Sequence, residues 1–259
     1  MTSLTLNWFG MGAHDVLAAS NFYGGKLGFA FEEGEENGRP RRYFKTRGMT
    51  FELFQAYPER PDVKAWGNGQ AFRPVLLVDD LSAATALLRD QGLSYSAQNS
   101  TYVAPIEMIG PEEIRWGMME STGLEMDWAH PFIAGIELKA ADLDAQKDFY
   151  TRVLGMNLRR ESNQDILLDQ PGFSAWLRIE AGGKAAPMHF GEEKPAFFHP
   201  IWISFETEHV RQVDLWLQAQ KVTILHPLTY HEEWQGTDII IADADGNPVQ
   251  VVQYGKMEI

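Results

Sequence analysis

Two periods organise the apolar positions of this chain. Across 201–206, Ile201, Ile203 and Phe205 fall on one face and Trp202, Ser204 and Glu206 on the other, the alternation of a strand with one buried face. Glu52 alternates in the same way between Phe51 and Leu53. Further strands are predicted at 4–11, 50–55, 74–78, 115–119, 135–138, 175–179, 238–242 and 248–253. Leu81, Ala84, Leu87 and Leu88, and again Val210, Val213, Trp216 and Leu217, recur at the spacing that gathers apolar side chains on one face of a helix.

These elements repeat. Asp15, Phe22, Tyr23, Leu27 and Gly28 reappear 127 residues later, with the same internal spacing, as Asp142, Phe149, Tyr150, Leu154 and Gly155. Each copy follows a strand and reads as a helix stopped by a glycine just past its last apolar residue. The strand and helix of 74–88 return 129 residues on, at 203–217. The chain therefore reads as an α+β fold of four βαβββ modules, two per half. Pro131, lying between the end of one unit and the strand that opens the next, sets the expected domains at 1–130 and 131–259. Loops are expected at 32–39, 57–69 and 182–195, and Gly10 and Gly12 read as a bulge or a close backbone approach at a strand end.

The twice-repeated Phe-Tyr-x-x-x-Leu-Gly after a strand and an aspartate resembles the signature of the vicinal oxygen chelate superfamily, the glyoxalases, bleomycin-resistance proteins and extradiol dioxygenases. Residues 243–253 are similar to that family's closing Asp-x-Asp-Gly-Asn strand. The resemblance implies two tandem glyoxalase-like domains, each a pair of modules curled around a cup. In the family's enzymes a histidine or glutamine early in each module's first strand, with a glutamate in its last, holds a divalent metal on the cup floor.

Carried onto this chain, those positions fall on Trp8, Glu52, Arg73 and Asp127 in the first half. In the second they fall on Gly135, Leu177 or Arg178, Trp202 and Gln250. Tryptophan and glycine offer no side-chain ligand and a guanidinium repels a cation, so neither a metal nor another cofactor is expected there. What remains resembles the metal-free members that hold a bulky aromatic compound. Trp8, Glu52, Arg73, Asp127, Trp202 and Gln250 are then candidate ligand-binding residues for a small aromatic or cationic molecule. Glu52 and Arg73 are expected to pair across the first cup. Two blander readings stand beside this: Trp8 and Trp202 fill a collapsed cavity as core, and Glu52 simply faces solvent. The alternative function is an enzyme. It would be a metal-free catalyst in which Glu52 or Asp127 takes a proton, or a lyase, isomerase or dioxygenase with a displaced metal site. His189 with His199, or His231 with Glu232 and Glu233, would have to supply such a site.

Composition narrows the partners. Of 259 residues, 44% are hydrophobic and 22% charged, the balance of a folded globular chain. A formal net charge of -14 disfavours nucleic acid and anionic membrane surfaces as partners. The chain has no cysteine, which excludes disulfides and thiolate chemistry. With a start that lacks a leader-like pattern, it fits a cytoplasmic address. A repeat of this kind is also compatible with a homodimer that swaps modules.

Overall fold

The computed structural model describes residues 4–36, 38–55, 72–97, 104–121, 123, 127–170, 175–182 and 201–255. The first module comprises β1 (Thr5–Ala13), α1 (Val16–Ser20), β2 (Phe31–Glu36), β3 (Arg39–Phe44), the short β4 (Arg47–Gly48) and β5 (Thr50–Gln55). The second comprises β6 (Phe72–Val78), α2 (Leu81–Asp90), β7 (Tyr95–Ala97), β8 (Ile106–Ile109) and β9 (Arg115–Glu120). The third comprises β10 (Phe132–Ala140), α3 (Leu143–Asp148), β11 (Asn157–Glu161), β12 (Asp165–Asp169) and β13 (Trp176–Ala181). The fourth comprises β14 (Ile201–Glu206), α4 (Val210–Ala219), β15 (Ile224–His231), β16 (Gly236–Ala242) and β17 (Pro248–Tyr254).

The α+β class and the four βαβββ modules are as the sequence implies. In each module the first strand pairs parallel with the last, as β1 does with β5 and β10 with β13. The repeated helices owe their limits to the repeated residues. Asp15 and Asp142 accept hydrogen bonds at 2.9 Å from the amides of Ala18 and Ala145, satisfying otherwise orphaned donors of the first turn. A π-helical turn then carries Tyr23 and Tyr150 into the core, and Gly28 and Gly155 end each copy at φ +80° and +75°, a region favouring glycine.

The pairing of modules differs from the expectation that each half closes its own sheet. Modules one and four form one sheet, in the order β15-β16-β17-β14-β1-β5-β3-β2, and modules two and three form the other, β11-β12-β13-β10-β6-β9-β8-β7. The joins are antiparallel pairings between first strands, β1 with β14 and β10 with β6. The halves nevertheless share cores. Tyr23 of module one accepts a hydrogen bond from the Trp116 indole of module two at 3.1 Å, and that indole packs edge-on to Phe9 and Phe51. In the second half, Tyr150 donates to Asp243 at 3.3 Å and Trp216 donates to the Val153 carbonyl at 3.1 Å.

Two devices cross between the sheets. The register of β1 shifts between Leu6 and Trp8, and the buried Gln170 side chain, next to β12, accepts from Leu6 N at 2.5 Å and donates to Leu4 O at 2.6 Å. The β4 strand leaves module one to pair with β10. Gly48 at φ +78° permits this, since a Cβ there would come within 3.1 Å of the Ile133 carbonyl carbon. Among the described residues no helix is long and apolar enough to cross a membrane.

Candidate ligand cup

The eight-stranded sheet curls until residues from its two ends face each other. Glu36, Arg39, Arg41 and Tyr43 of β2 and β3 line the same cavity of about 480 Å³ as His226, Thr229 and His231 of β15. That volume lies within the range that holds a small organic ligand.

The floor is aromatic. Trp8 and Trp202 meet edge to face with centroids 6.3 Å apart, and Phe54 lies 4.2 Å from Trp202. Gly10 is the reason the floor is open. It sits between Trp202 on β14 and Glu52 on β5 in the strand register, and a Cβ there would lie 2.6 Å from an indole carbon of Trp202. Gly10 lies inside β1 rather than at a strand end, and is a close approach of a ring to backbone.

One wall is an ion-pair cluster. Arg41 bridges Glu36 and Glu52. Burial raises the Glu52 pKa above its usual value of 4.5, and Arg41 opposes that shift. The other wall is a hydrogen-bonded chain running across four strands. Ser204 Oγ donates to Gln250 Oε1 at 3.0 Å, Gln250 Nε2 donates to Asp238 Oδ2 at 2.5 Å, and Asp238 Oδ1 lies 3.0 Å from His231 Nε2. Trp234 stacks on the His231 ring at 4.8 Å and touches Tyr254. The bond to Asp238 raises the His231 pKa, whereas burial lowers that of His226.

Four sequence-derived candidates, Trp8, Glu52, Trp202 and Gln250, line this one cavity although they come from opposite ends of the chain. The other two lie elsewhere. Arg73 belongs to the second sheet, where it binds Glu137 through Nε at 2.7 Å and Glu107 at 3.1 Å, so the expected Glu52 and Arg73 pair does not form. The reason is the module pairing, which places β5 and β6 in different sheets. Asp127 was expected in the closing strand of the first half, but β9 ends at Glu120. Asp127 stands in an exposed turn, accepting from Ala129 N at 2.9 Å and lying 2.8 Å from His130 Nδ1. Of the uncertain pair on β13, Leu177 packs in the core and Arg178 joins the ion pairs.

The second sheet fills the corresponding place. Glu137 sits between Arg73 and Arg178 in register, as Gly10 sits between Trp202 and Glu52. Its carboxylate binds both arginines, and Arg178 continues to Asp165 at 2.8 Å.

The family's metal does not fit the cup floor. Trp8 and Trp202 cannot ligate a metal, Glu52 is engaged by Arg41, and the Gln250 amide is committed to Ser204 and Asp238. Three side chains on the wall do offer a donor set. The ligand atoms of His226, His231 and Asp238 all lie within 4.8 Å of one another. Sequence reasoning named His231 but not His226 or Asp238. The histidines stand five positions apart, which puts them on opposite faces of a regular strand, but register shifts on both sides of His226 turn them to the same face. Glu232 and Glu233 are exposed, and His189 and His199 lie outside the described residues.

The family model described as the Glyoxalase/Bleomycin resistance protein/Dioxygenase superfamily matches residues 5–105 and 133–251. Among solved structures, a glyoxalase I variant from Zea mays aligns with a TM-score of 0.72 and 12% identity, covering 97% of this chain and 94% of that one. Glyoxalase I from Zea mays itself aligns at 0.69 and 14% identity, covering 97% and 92%. A candidate dioxygenase from Bacillus subtilis subsp. subtilis str. 168 aligns at 0.69 and 11%, covering 97% and 86%. At such identities the likeness is one of fold. No curated protein sequence matches the chain.

Proposed function

Because the chain belongs to the Glyoxalase/Bleomycin resistance protein/Dioxygenase superfamily, we propose that it binds a planar aromatic small molecule in the cup between its first and fourth modules. The observation that carries this reading is the cavity itself, with Trp8, Trp202 and Phe54 as floor and two polar walls. Aromatic faces stack on a planar ligand and attract a cation. The Glu36, Arg41 and Glu52 cluster presents two carboxylates to one guanidinium, which favours a cationic or hydrogen-bond-donating substituent on that side. The test is titration of chelator-treated protein with a panel of neutral and cationic planar aromatics, followed by tryptophan fluorescence. Saturable 1:1 quenching, weakened by at least about tenfold in Trp8→Ala, is the expected result. Equal affinity in wild type and Trp8→Ala would remove the floor from the reading.

A second reading, acid–base catalysis on the bound molecule, is favoured by the raised pKa of Glu52 in the cavity wall. Turnover with a bell-shaped or sigmoidal pH profile, abolished in Glu52→Gln while ligand binding persists, separates it from simple binding.

A further inference from the structure

We propose that the wall of the cup holds a divalent transition-metal ion on His226, His231 and Asp238, displaced from the family's floor position. This goes beyond the aromatic-binding reading and does not depend on it. The argument starts from Asp238, which is 1% exposed on β16. Among the described residues its side-chain partners are the Gln250 amide and the His231 imidazole. A carboxylate removed from water calls for a positive partner, a place that a protonated His231 or a bound cation could fill. A cation beside Asp238 Oδ1 would supply that charge.

The donor types and their spacing agree. Two imidazoles and one carboxylate suit zinc, iron, cobalt, nickel or manganese more than calcium or magnesium, which prefer oxygen. With metal to donor distances of about 2.1 Å, donor atoms stand about 3–4 Å apart, so a spread within 4.8 Å needs only small ring rotations to close. His231 Nε2 and Asp238 Oδ1 already face each other at 3.0 Å.

The supporting shell is also present. Gln250 fixes the second oxygen of Asp238, Ser204 fixes Gln250, and Trp234 stacks on the His231 ring, so two of the three donors are oriented without a metal. Because all three residues line the cavity, coordination positions not filled by protein open onto the ligand space. With three protein donors the site has the incomplete shell of a metal that can take water or a ligand group, rather than the closed shell of a structural one.

The test uses full-length protein stripped with a chelator and titrated with cobalt(II), read by visible absorption, and with zinc(II), read by calorimetry. No organic ligand is added, so failure of the aromatic-binding reading leaves this result untouched, and the converse holds. The expected result is one equivalent bound per chain. Affinity should fall by at least about tenfold in His226→Gln and in Asp238→Asn, and also in Gln250→Leu, which removes the outer support. Asp144→Asn, exposed on α3 in the modules of the other sheet, should leave affinity unchanged. Thermal melts of the stripped variants identify any that fail to fold, and the wild-type stoichiometry stands without them. Absence of binding by wild type overturns the proposal. So does binding that His226→Gln and Asp238→Asn leave intact while those variants fold, because the ion would then sit elsewhere.

Discussion

Gly10 and Glu137 occupy the same central place in two related sheets, and their difference decides what lies over that place. At Gly10 the missing Cβ admits the Trp202 ring. At Glu137 a carboxylate gathers Arg73 and Arg178 over the same spot. Gly10→Val should therefore push Trp202 off the floor, costing about 1–3 kcal/mol of stability and weakening aromatic ligands in fluorescence titrations. Glu137→Ala should cost about 1–3 kcal/mol in chemical denaturation, because it removes the carboxylate shared by two buried guanidinium groups, which keep Glu107 and Asp165 as partners. Glu52 carries a pH signature. Its folded pKa is raised by burial, so its favourable contribution is present at and below pH 4.5 and is lost as pH rises through the folded value. Glu52→Gln cannot ionise, so its melting temperature relative to wild type should rise between pH 4.5 and 7.5; a difference that stays flat would refute the shift. At this scale the sequence was informative where a residue departs from a family pattern, as at Trp8, Trp202, Glu52 and Gln250. It was silent on Arg41 and Asp238, whose roles come from neighbours on other strands.

Elements were legible wherever local rules settle them. The strand at 50–55 has the predicted bounds, and the repeated Asp and Gly residues limit the helices as their chemistry requires. The irregular strands were not legible, because a bulge is set by what the strand pairs with. In β15, register shifts on either side of His226 put it beside His231. In β1, the shift between Leu6 and Trp8 is sustained by Gln170, distant in sequence, which serves the backbone of Leu4 and Leu6. Gln170→Leu should leave a buried amide and a buried carbonyl without partners, costing about 1–3 kcal/mol. Since the bulge precedes Trp8, the same variant should also shift the tryptophan emission spectrum of the cup. A destabilised protein with unchanged emission would uncouple the bulge from the floor.

The whole molecule combines two associations that the repeat alone cannot rank. Core packing joins module one to module two and module three to module four, within each sequence half. Strand pairing joins module one to module four and module two to module three, between halves. Identical module signatures say nothing about which first strands meet, since hydrogen bonds along a strand edge read backbone and not side chain. This is why the sequence distributed the site residues over two cups, and why four of them line one. The physical consequence concerns the halves 1–130 and 131–259. Produced alone, each would keep its shared core but expose two first-strand edges, β1 and β6 in one half and β10 and β14 in the other. Such edges invite pairing with another chain. Each isolated half should therefore form dimers or aggregates in size-exclusion chromatography, and mixing the two should yield a 1:1 complex that regains aromatic-ligand binding. Two monomeric halves that fold separately and ignore each other would mean that core packing within a half dominates, and that the cup is a product of tethering rather than of strand pairing.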